Sequence, residues 1–497
     1  MTTSVDVAPA ASFDSLDPRT GEVVASYPVH TEADVRAAVD RATATAVWWD
    51  ELGFAGRRER LLAWRKVLVG RLDELAGIVS TETGKPFDDA RLEIVLAIDH
   101  VDWAAKHAEK VLGRRRVSSG MLMANQAATL AYPPLGVVGV IGPWNYPVFT
   151  PMGSIAYALA AGNTVVFKPS ELTPGVGHAL ATMLAEAVPG HTLIEVVTGL
   201  GETGAALCRT PGVGKIAFTG STATGKRVMA ACAETLTPVL IECGGKDALL
   251  VDADADLDKA ADAAVWGGMS NAGQTCVGVE RVYVHERVYD EFVTKVTDRA
   301  MQVTAGEGPD AQIGPITMPS QLEIIRRHIA DALDRGARAV VGGRDSVGDR
   351  FVQPTVLVDV PEDSVAVTEE TFGPTLTIAK VRDMDEAVDR ANASRYGLGA
   401  TVFSRARGLE LARRIRSGMA SVNSVISFAA IPSLPFGGVG DSGFGRIHGA
   451  DGLKEFTRPK AIARQRFRLP IKTTTFARTA KDDKMLATLI NVLHGRG

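Results

Sequence analysis

The chain has 497 residues, of which 46% are hydrophobic and 23% charged, and its formal net charge is −4. That length gives two or three domains and room for a cleft between them. The mild acidity and the lack of any long basic block exclude nucleic acid as an expected partner. The opening stretch MTTSVDVAPAASFDSLDPRTGEV has no basic start followed by an apolar run. No later stretch stays apolar for the roughly 18 residues of a membrane span, so a cytoplasmic protein without a transmembrane segment is expected. The four cysteines, Cys208, Cys232, Cys243 and Cys276, form no CxxC and no short Cys/His spacing. No metal site is expected, and so few thiols make a poor disulfide framework.

In chain order, residues 31–112 read as helices: Thr31 with Asp34 resembles a capping pair, and Leu61, Leu62, Trp64, Val67, Leu68, Leu72 and Leu75 follow helical spacing. From about residue 135, short apolar runs alternate with helical stretches: GVVGVI (136–141), NTVVFKPS (163–170), LIEVVTG (193–199), KIAFTG (215–220) and PVLIECGG (238–245). Such alternation implies βαβ units and a mostly parallel sheet. A second series follows residue 245: DALLV, RVYVH, ARAVVGG, TLTIAKV, GATVFS and ASVN. In the tail, residues 461–470 suit an edge strand, and Met485, Leu486, Leu489, Ile490 and Leu493 fit one face of a short helix. That face could gate a tunnel, meet another subunit or lie on a membrane surface, and subunit contact or self-docking ranks first.

Ligands of open parallel sheets sit at the carboxyl ends of strands, where helix N-termini offer N–H groups to phosphate. FTGSTATGK (218–226) suits that place, with Gly220 allowing close approach and Ser221 at the helix start. In FKPSE (167–171), Lys168 and Glu171 leave another strand end, and a carboxylate there can accept both ribose hydroxyls while repelling a 2′-phosphate. Taken singly, these segments are as consistent with an ordinary βα turn and a surface ion pair. No GxGxxG follows any strand, which excludes a standard Rossmann dehydrogenase.

Cys276 lies in NAGQTCVG (271–278). A cysteine nucleophile acts as its thiolate, and with a reference pKa of roughly 8.5 its surroundings must help. Addition to a carbonyl creates an oxyanion, best held by preorganised N–H donors. GPWNYP (142–147) offers Asn145 between two prolines, although a rigid turn is the plainer reading. Glu242, ending an apolar strand in LIECGGKD, suits a general base with raised pKa, or a glutamate bonded to backbone N–H groups. Cys243 competes for the nucleophile's role, but a thiolate beside an ionised carboxylate is disfavoured.

Seven segments, GPWNYP, FKPSE, FTGSTATG, LIECGGKD, NAGQTC, EETFGP and PFGGVGDSGFGR, span residues 142–446 and resemble, in order, the signature motifs of the aldehyde dehydrogenase superfamily. The resemblance implies an α/β fold of two open-sheet domains, one Rossmann-like without GxGxxG and one catalytic, with a small β oligomerisation extension. Residues 1–115 and 135–244 would bind NAD, 245–445 would carry the nucleophile, and 116–134 and 446–497 would form the oligomerisation segments and tail. A homodimer or homotetramer is expected.

By the same resemblance Cys276 is the nucleophile, Glu242 the general base, and Asn145 the oxyanion donor together with the Cys276 N–H. The cofactor, NAD with NADP as the alternative, would meet Ile141, Gly142, Pro143, Trp144, Lys168, Glu171, Gly201, Phe218, Thr219, Gly220, Ser221, Thr224, Cys243, Gly244, Glu370 and Phe372. Tyr146, Thr150, Met269, Thr275, Val277 and Phe428 would line a substrate tunnel, with Gly153 and Ser270 near it. Two departures stand out: Met269 replaces the usual aromatic residue, and Cys243 a common leucine. The implied reaction is oxidation of a small-molecule aldehyde to its acid through a cysteine thiohemiacetal and thioester. The absence of an arginine among the tunnel residues favours aliphatic or aromatic aldehydes; a semialdehyde dehydrogenase, a coenzyme A-acylating enzyme and a non-catalytic scaffold are the alternatives.

Overall fold

Val- and Ile-rich runs that alternate with helices can bury both faces only in a parallel sheet covered on each side. In the computed structural model, which describes residues 11–308 and 310–495, the runs between 137 and 243 form such a sheet. The first ten residues of the opening stretch lie outside the described residues. Strand order is Gly443–Phe444, Val239–Cys243, Val213–Gly220, Val137–Ile141, Thr164–Lys168 and Ile194–Val196. All neighbours run parallel except the first, where Gly443 lies opposite Glu242 and Phe444 opposite Ile241.

The helical region resolves into Glu32–Glu51, Gly53–Gly70, Leu72–Thr83 and Phe87–Leu112. Thr31 and Asp34 form a capping box: the Thr31 N–H donates to Asp34 Oδ2 at 2.8 Å and the Asp34 N–H to Thr31 Oγ1 at 3.3 Å. Val35, Ala38, Val39 and Ala42 of the first helix pack with Val137, Val166 and Ile216 of the sheet.

The second series builds a seven-stranded sheet in the order Arg338–Val341, Thr355–Val358, Thr375–Val381, Val279–His285, Asp247–Val251, Ala400–Phe403 and Ser421–Val422. Helices Leu257–Met269 and Tyr289–Ala300 join one of its apolar clusters, and Met384–Asn392 joins another. The strand Arg338–Val341 runs antiparallel to its neighbour. Three elements had no signal in the sequence reading: the hairpin Ser12–Leu16 with Val23–Pro28, the strand Thr355–Val358 and the two-residue strand Gly443–Phe444.

Lys460–Gln465, Gln126–Ala131 and Arg115–Val117 make a three-stranded antiparallel sheet. Residues 112–133 and 458–497 form a compact unit of their own, and 1–111 with 134–457 form the larger one. Residues 446–457, with the helix Gly449–Glu455, therefore fall in the larger unit and not in the tail. Among the described residues no helix is long and apolar enough to cross a membrane.

Candidate active site

Helix Leu257–Met269 ends just before Cys276, and the chain reverses through three successive left-handed residues, Asn271, Ala272 and Gly273, with φ of 52°, 56° and 72°. Left-handed geometry costs a non-glycine residue roughly 1–2 kcal/mol, so surrounding contacts must enforce it. Gln274 does so: its Nε2 donates to Asn271 O at 2.9 Å and to Pro315 O at 3.2 Å, and its Oε1 accepts the Thr317 N–H at 2.8 Å.

Cys208, Cys232 and Cys243 are buried, whereas Cys276 is half-buried and borders a cavity. Enclosure, then the carboxylates of Glu242, Glu370 and Asp247, push its thiol well above the usual range. Cys243 sits in the apolar core, where burial and then Glu242 push its thiol up to about 12. It has the weaker claim to chemistry.

Glu242 closes the strand Val239–Cys243 and is 2% exposed. Neither of its carboxylate oxygens has a hydrogen-bond partner among the described residues. Burial pushes its pKa up to about 7, against the smaller opposing pull of the Thr219 hydroxyl and the Cys276 thiol beside it. A carboxyl poised there exchanges protons at neutral pH.

Asn145 is buried and donates from Nδ2 to Gln274 O at 2.9 Å, two residues ahead of Cys276. Its carbonyl accepts from Lys85 Nζ at 2.8 Å and from Asn271 Nδ2 at 3.0 Å. Lys85 is paired at 2.6 Å with Glu93, and Glu93 Oε1 accepts the N–H groups of Val148 and Phe149 at 2.8 and 3.0 Å. Tyr146 meets Thr275 hydroxyl to hydroxyl at 2.9 Å. Lys85, Glu93, Asn271 and Gln274 were missed by the sequence reading, and together they clamp Asn145 to the Cys276 loop.

A cleft of about 820 Å³ opens at the carboxyl ends of the first sheet. Its walls include Ile141, Gly142, Pro143, Trp144, Lys168, Glu171, Gly201, Phe218, Thr219, Gly220, Ser221 and Thr224. Ser221 caps the helix Thr222–Ala233 by accepting the Thr224 N–H at 3.3 Å, which leaves a helix N-terminus on the cleft wall for an anion. Lys168 Nζ lies 3.6 Å from Glu171, whose side chain is 47% exposed and open to a ribose. A Cβ on Gly201 would meet nothing within 4 Å, so the backbone there is open to a ligand. Size, anion site and carboxylate fit a dinucleotide.

Cys243, Gly244, Glu370 and Phe372 are not on that wall. The Phe372 ring packs edge-on against Trp144 at 5.6 Å, and Glu370 Oε1 accepts the Gly245 N–H at 3.0 Å. A buried pair absent from the sequence reading, Lys246 with Glu280, fixes this turn: Glu280 accepts the N–H groups of Thr371 and Phe372, and Lys246 Nζ donates to Thr371 Oγ1 at 2.9 Å.

The cavity bordered by Cys276 has a volume of about 290 Å³. Tyr146, Thr150, Ser270, Thr275 and Val277 line it, with Leu92, Leu96, Phe149, Trp266, Val425, Ile426, Phe436 and Ile447. Met269 and Phe428 do not. Met269 continues the buried stripe of Ala261 and Val265 into the core of the second sheet, and Phe428 points its ring at Gly399 beside Asp247. Gly153 faces His448 instead of this cavity. No arginine is on the wall among the described residues, and Lys85, its one cation, is held by Glu93. No group of three or more metal-ligating side chains occurs among the described residues.

Comparison with known proteins agrees with this geometry. The model of the aldehyde dehydrogenase family matches residues 6–462. The chain is 35% identical to the 4,4'-diapolycopene aldehyde oxidase of Methylomonas sp, over 97% of this chain and 91% of that protein. It is 36% identical to a probable succinate-semialdehyde dehydrogenase (NADP(+)) of Sinorhizobium fredii, over 90% and 92%. The crystal structure of an NAD-dependent aldehyde dehydrogenase from Sinorhizobium meliloti superposes with a TM-score of 0.89 at 34% identity, covering 95% of each chain. The match of the family model over residues 6–462, with relatives 35–36% identical over nine-tenths or more of the chain, shows that the chain belongs to the aldehyde dehydrogenase family.

Proposed function

We propose that the protein oxidises an apolar aldehyde to its carboxylic acid through Cys276, with NAD as acceptor and NADP as the alternative. The observation that carries this reading is the adjacency of a half-buried thiol to a buried carboxyl without hydrogen-bond partners among the described residues. Cys276 Sγ adds to the carbonyl carbon while its proton passes to Glu242, so the pair never holds two buried negative charges. The developing oxyanion is held by the Asn145 N–H not used by Gln274 and by the Cys276 N–H. A nicotinamide held by Glu370 and Phe372 would supply the hydride acceptor by which the thiohemiacetal becomes a thioester on Cys276. Glu242, once it has released its proton, takes one from water. The resulting hydroxide cleaves the thioester and restores the thiol.

Ser221 and the helix behind it would hold the pyrophosphate, Lys168 and Glu171 the adenosine ribose, and Glu370 and Phe372 the nicotinamide end. Glu171 favours NAD because its charge repels a 2′-phosphate. The presence of Glu242 favours water over coenzyme A as acyl acceptor. Association into a homodimer or homotetramer through 116–134 and 460–470 belongs to the same reading, and sedimentation velocity tests it.

The wall of the Cys276 cavity supports an aliphatic or aromatic substrate, since it offers no unpaired cation to a second carboxylate among the described residues. The names of relatives such as the Sinorhizobium fredii protein favour a second reading, succinate semialdehyde. Reduced cofactor followed at 340 nm, with a panel of both aldehyde types and no coenzyme A, discriminates. Activity in wild type and its loss in Cys276→Ala are expected; equal rates in the two would overturn the assignment.

A further inference from the structure

The family match ends at residue 462, and the 35 residues beyond it carry eight Lys and Arg against two Asp. The compact unit to which they belong holds thirteen basic and two acidic residues, while the rest of the chain holds 41 basic and 56 acidic ones. Among the described residues of this unit, only Arg478 has a carboxylate within ion-pair distance, Asp483 at 2.8 Å. The charge is therefore not neutralised from within.

Apolar side chains share the segment with that charge. Phe476 is fully exposed. In the helix Ala480–His494, Leu486, Leu489 and Leu493 are half-buried, whereas Met485 and Val492, seven residues apart on one face, stand in solvent beside Lys481 and Lys484. Asp482 fixes the approach, accepting the N–H groups of Lys472 and Thr479 at 3.0 and 2.9 Å. Basic side chains flanking exposed aromatic and aliphatic ones are what an anionic bilayer surface binds, through charge and shallow apolar insertion together. A second copy's segment would bring the same positive charge, while its larger unit, with 56 acidic residues against 41 basic, is the competing occupant that a change of oligomeric state would reveal. Nucleic acid would use the charge and leave the aliphatic face unsatisfied.

We infer that residues 471–494 form a peripheral docking surface for anionic lipid, independent of the reaction assigned to Cys276. The helix lies in the headgroup plane without crossing. A docked enzyme would draw apolar aldehydes from the bilayer in which they partition.

Co-sedimentation of the full-length protein with phosphatidylcholine vesicles, with and without phosphatidylglycerol, tests this. Binding is expected only with the anionic lipid, and it should fall with salt. Lys481→Gln with Lys484→Gln should weaken it about 25-fold, roughly fivefold for each charge removed. Phe476→Ser with Val492→Ser should weaken it while aldehyde oxidation in solution is unchanged. Equal binding to neutral vesicles, no binding to either, tighter binding to an oligonucleotide, or a change of oligomeric state in these variants without an effect on vesicles would each overturn the proposal.

Discussion

Lys85 and Glu93 form a 2.6 Å ion pair with both side chains buried, and each partner holds a different part of the turn that carries Asn145. Lys85→Met would leave Glu93 charged, buried and unpaired. Breaking such a pair costs about 3–5 kcal/mol, so the denaturation midpoint should drop markedly and kcat with it. An unchanged midpoint would mean that the pair does not hold this turn.

Glu242 should set the pH profile. Its pKa of about 7 means that the base form is lost below neutrality, so thioester hydrolysis should fall towards tenfold per unit at lower pH. Stability runs the other way. The folded state holds this proton more tightly than the unfolded chain does, so the contribution is complete below the usual 4.5 and lost as pH rises through about 7. Glu242→Gln removes the acceptor of the Cys276 proton as well as the base for hydrolysis, so in stopped flow the burst of reduced cofactor should slow and steady-state turnover should fall; wild-type values for both would count against Glu242.

Asn145→Ala removes the proposed oxyanion donor and a contact to the Cys276 loop. A loss of about 100- to 1,000-fold in kcat is expected with the fold retained, checked by steady-state kinetics beside circular dichroism.

A methyl group at residue 244 would sit 1.9 Å from Glu370 Oε1, closer than any two such atoms can come. Gly244→Ala should swing the Glu370 carboxylate aside and break its bond to the Gly245 N–H, raising KM for the cofactor and lowering kcat by up to about 100-fold. Normal kinetics for both would remove Glu370 from the nicotinamide end.

Glu171→Gln should raise the NADP-to-NAD ratio of kcat/KM about fivefold, the equivalent of roughly 1 kcal/mol of repulsion removed near water. A ratio that stays constant would place the ribose elsewhere.

The proposed reacting groups stand out in the sequence because their chemistry demands rare residue types in turns and at a strand end: one cysteine behind a glycine turn, one carboxylate near the end of an apolar strand, one amide between prolines. The groups that hold them do not. Lys85, Glu93, Lys246 and Glu280 look like any surface charge, since only the fold brings each pair together. Gly273 hints at a left-handed turn, but Ala272 gives no such sign. Met269 was misplaced although its spacing from Val265 and Ala261 marks a buried helical stripe. The two-residue strand Gly443–Phe444 is too short to show a period.

That short strand has a consequence in time. Gly443, at φ 95° and with Ile241 O 2.1 Å from where a Cβ would lie, pairs directly with Glu242, two hundred residues earlier. Until it docks, the strand carrying the base is an open sheet edge. At about 5–20 residues per second, a ribosome needs about 10–40 s to pass from one to the other. Synthesis thus delivers the Cys276 loop well before the strand that closes the sheet edge beside Glu242.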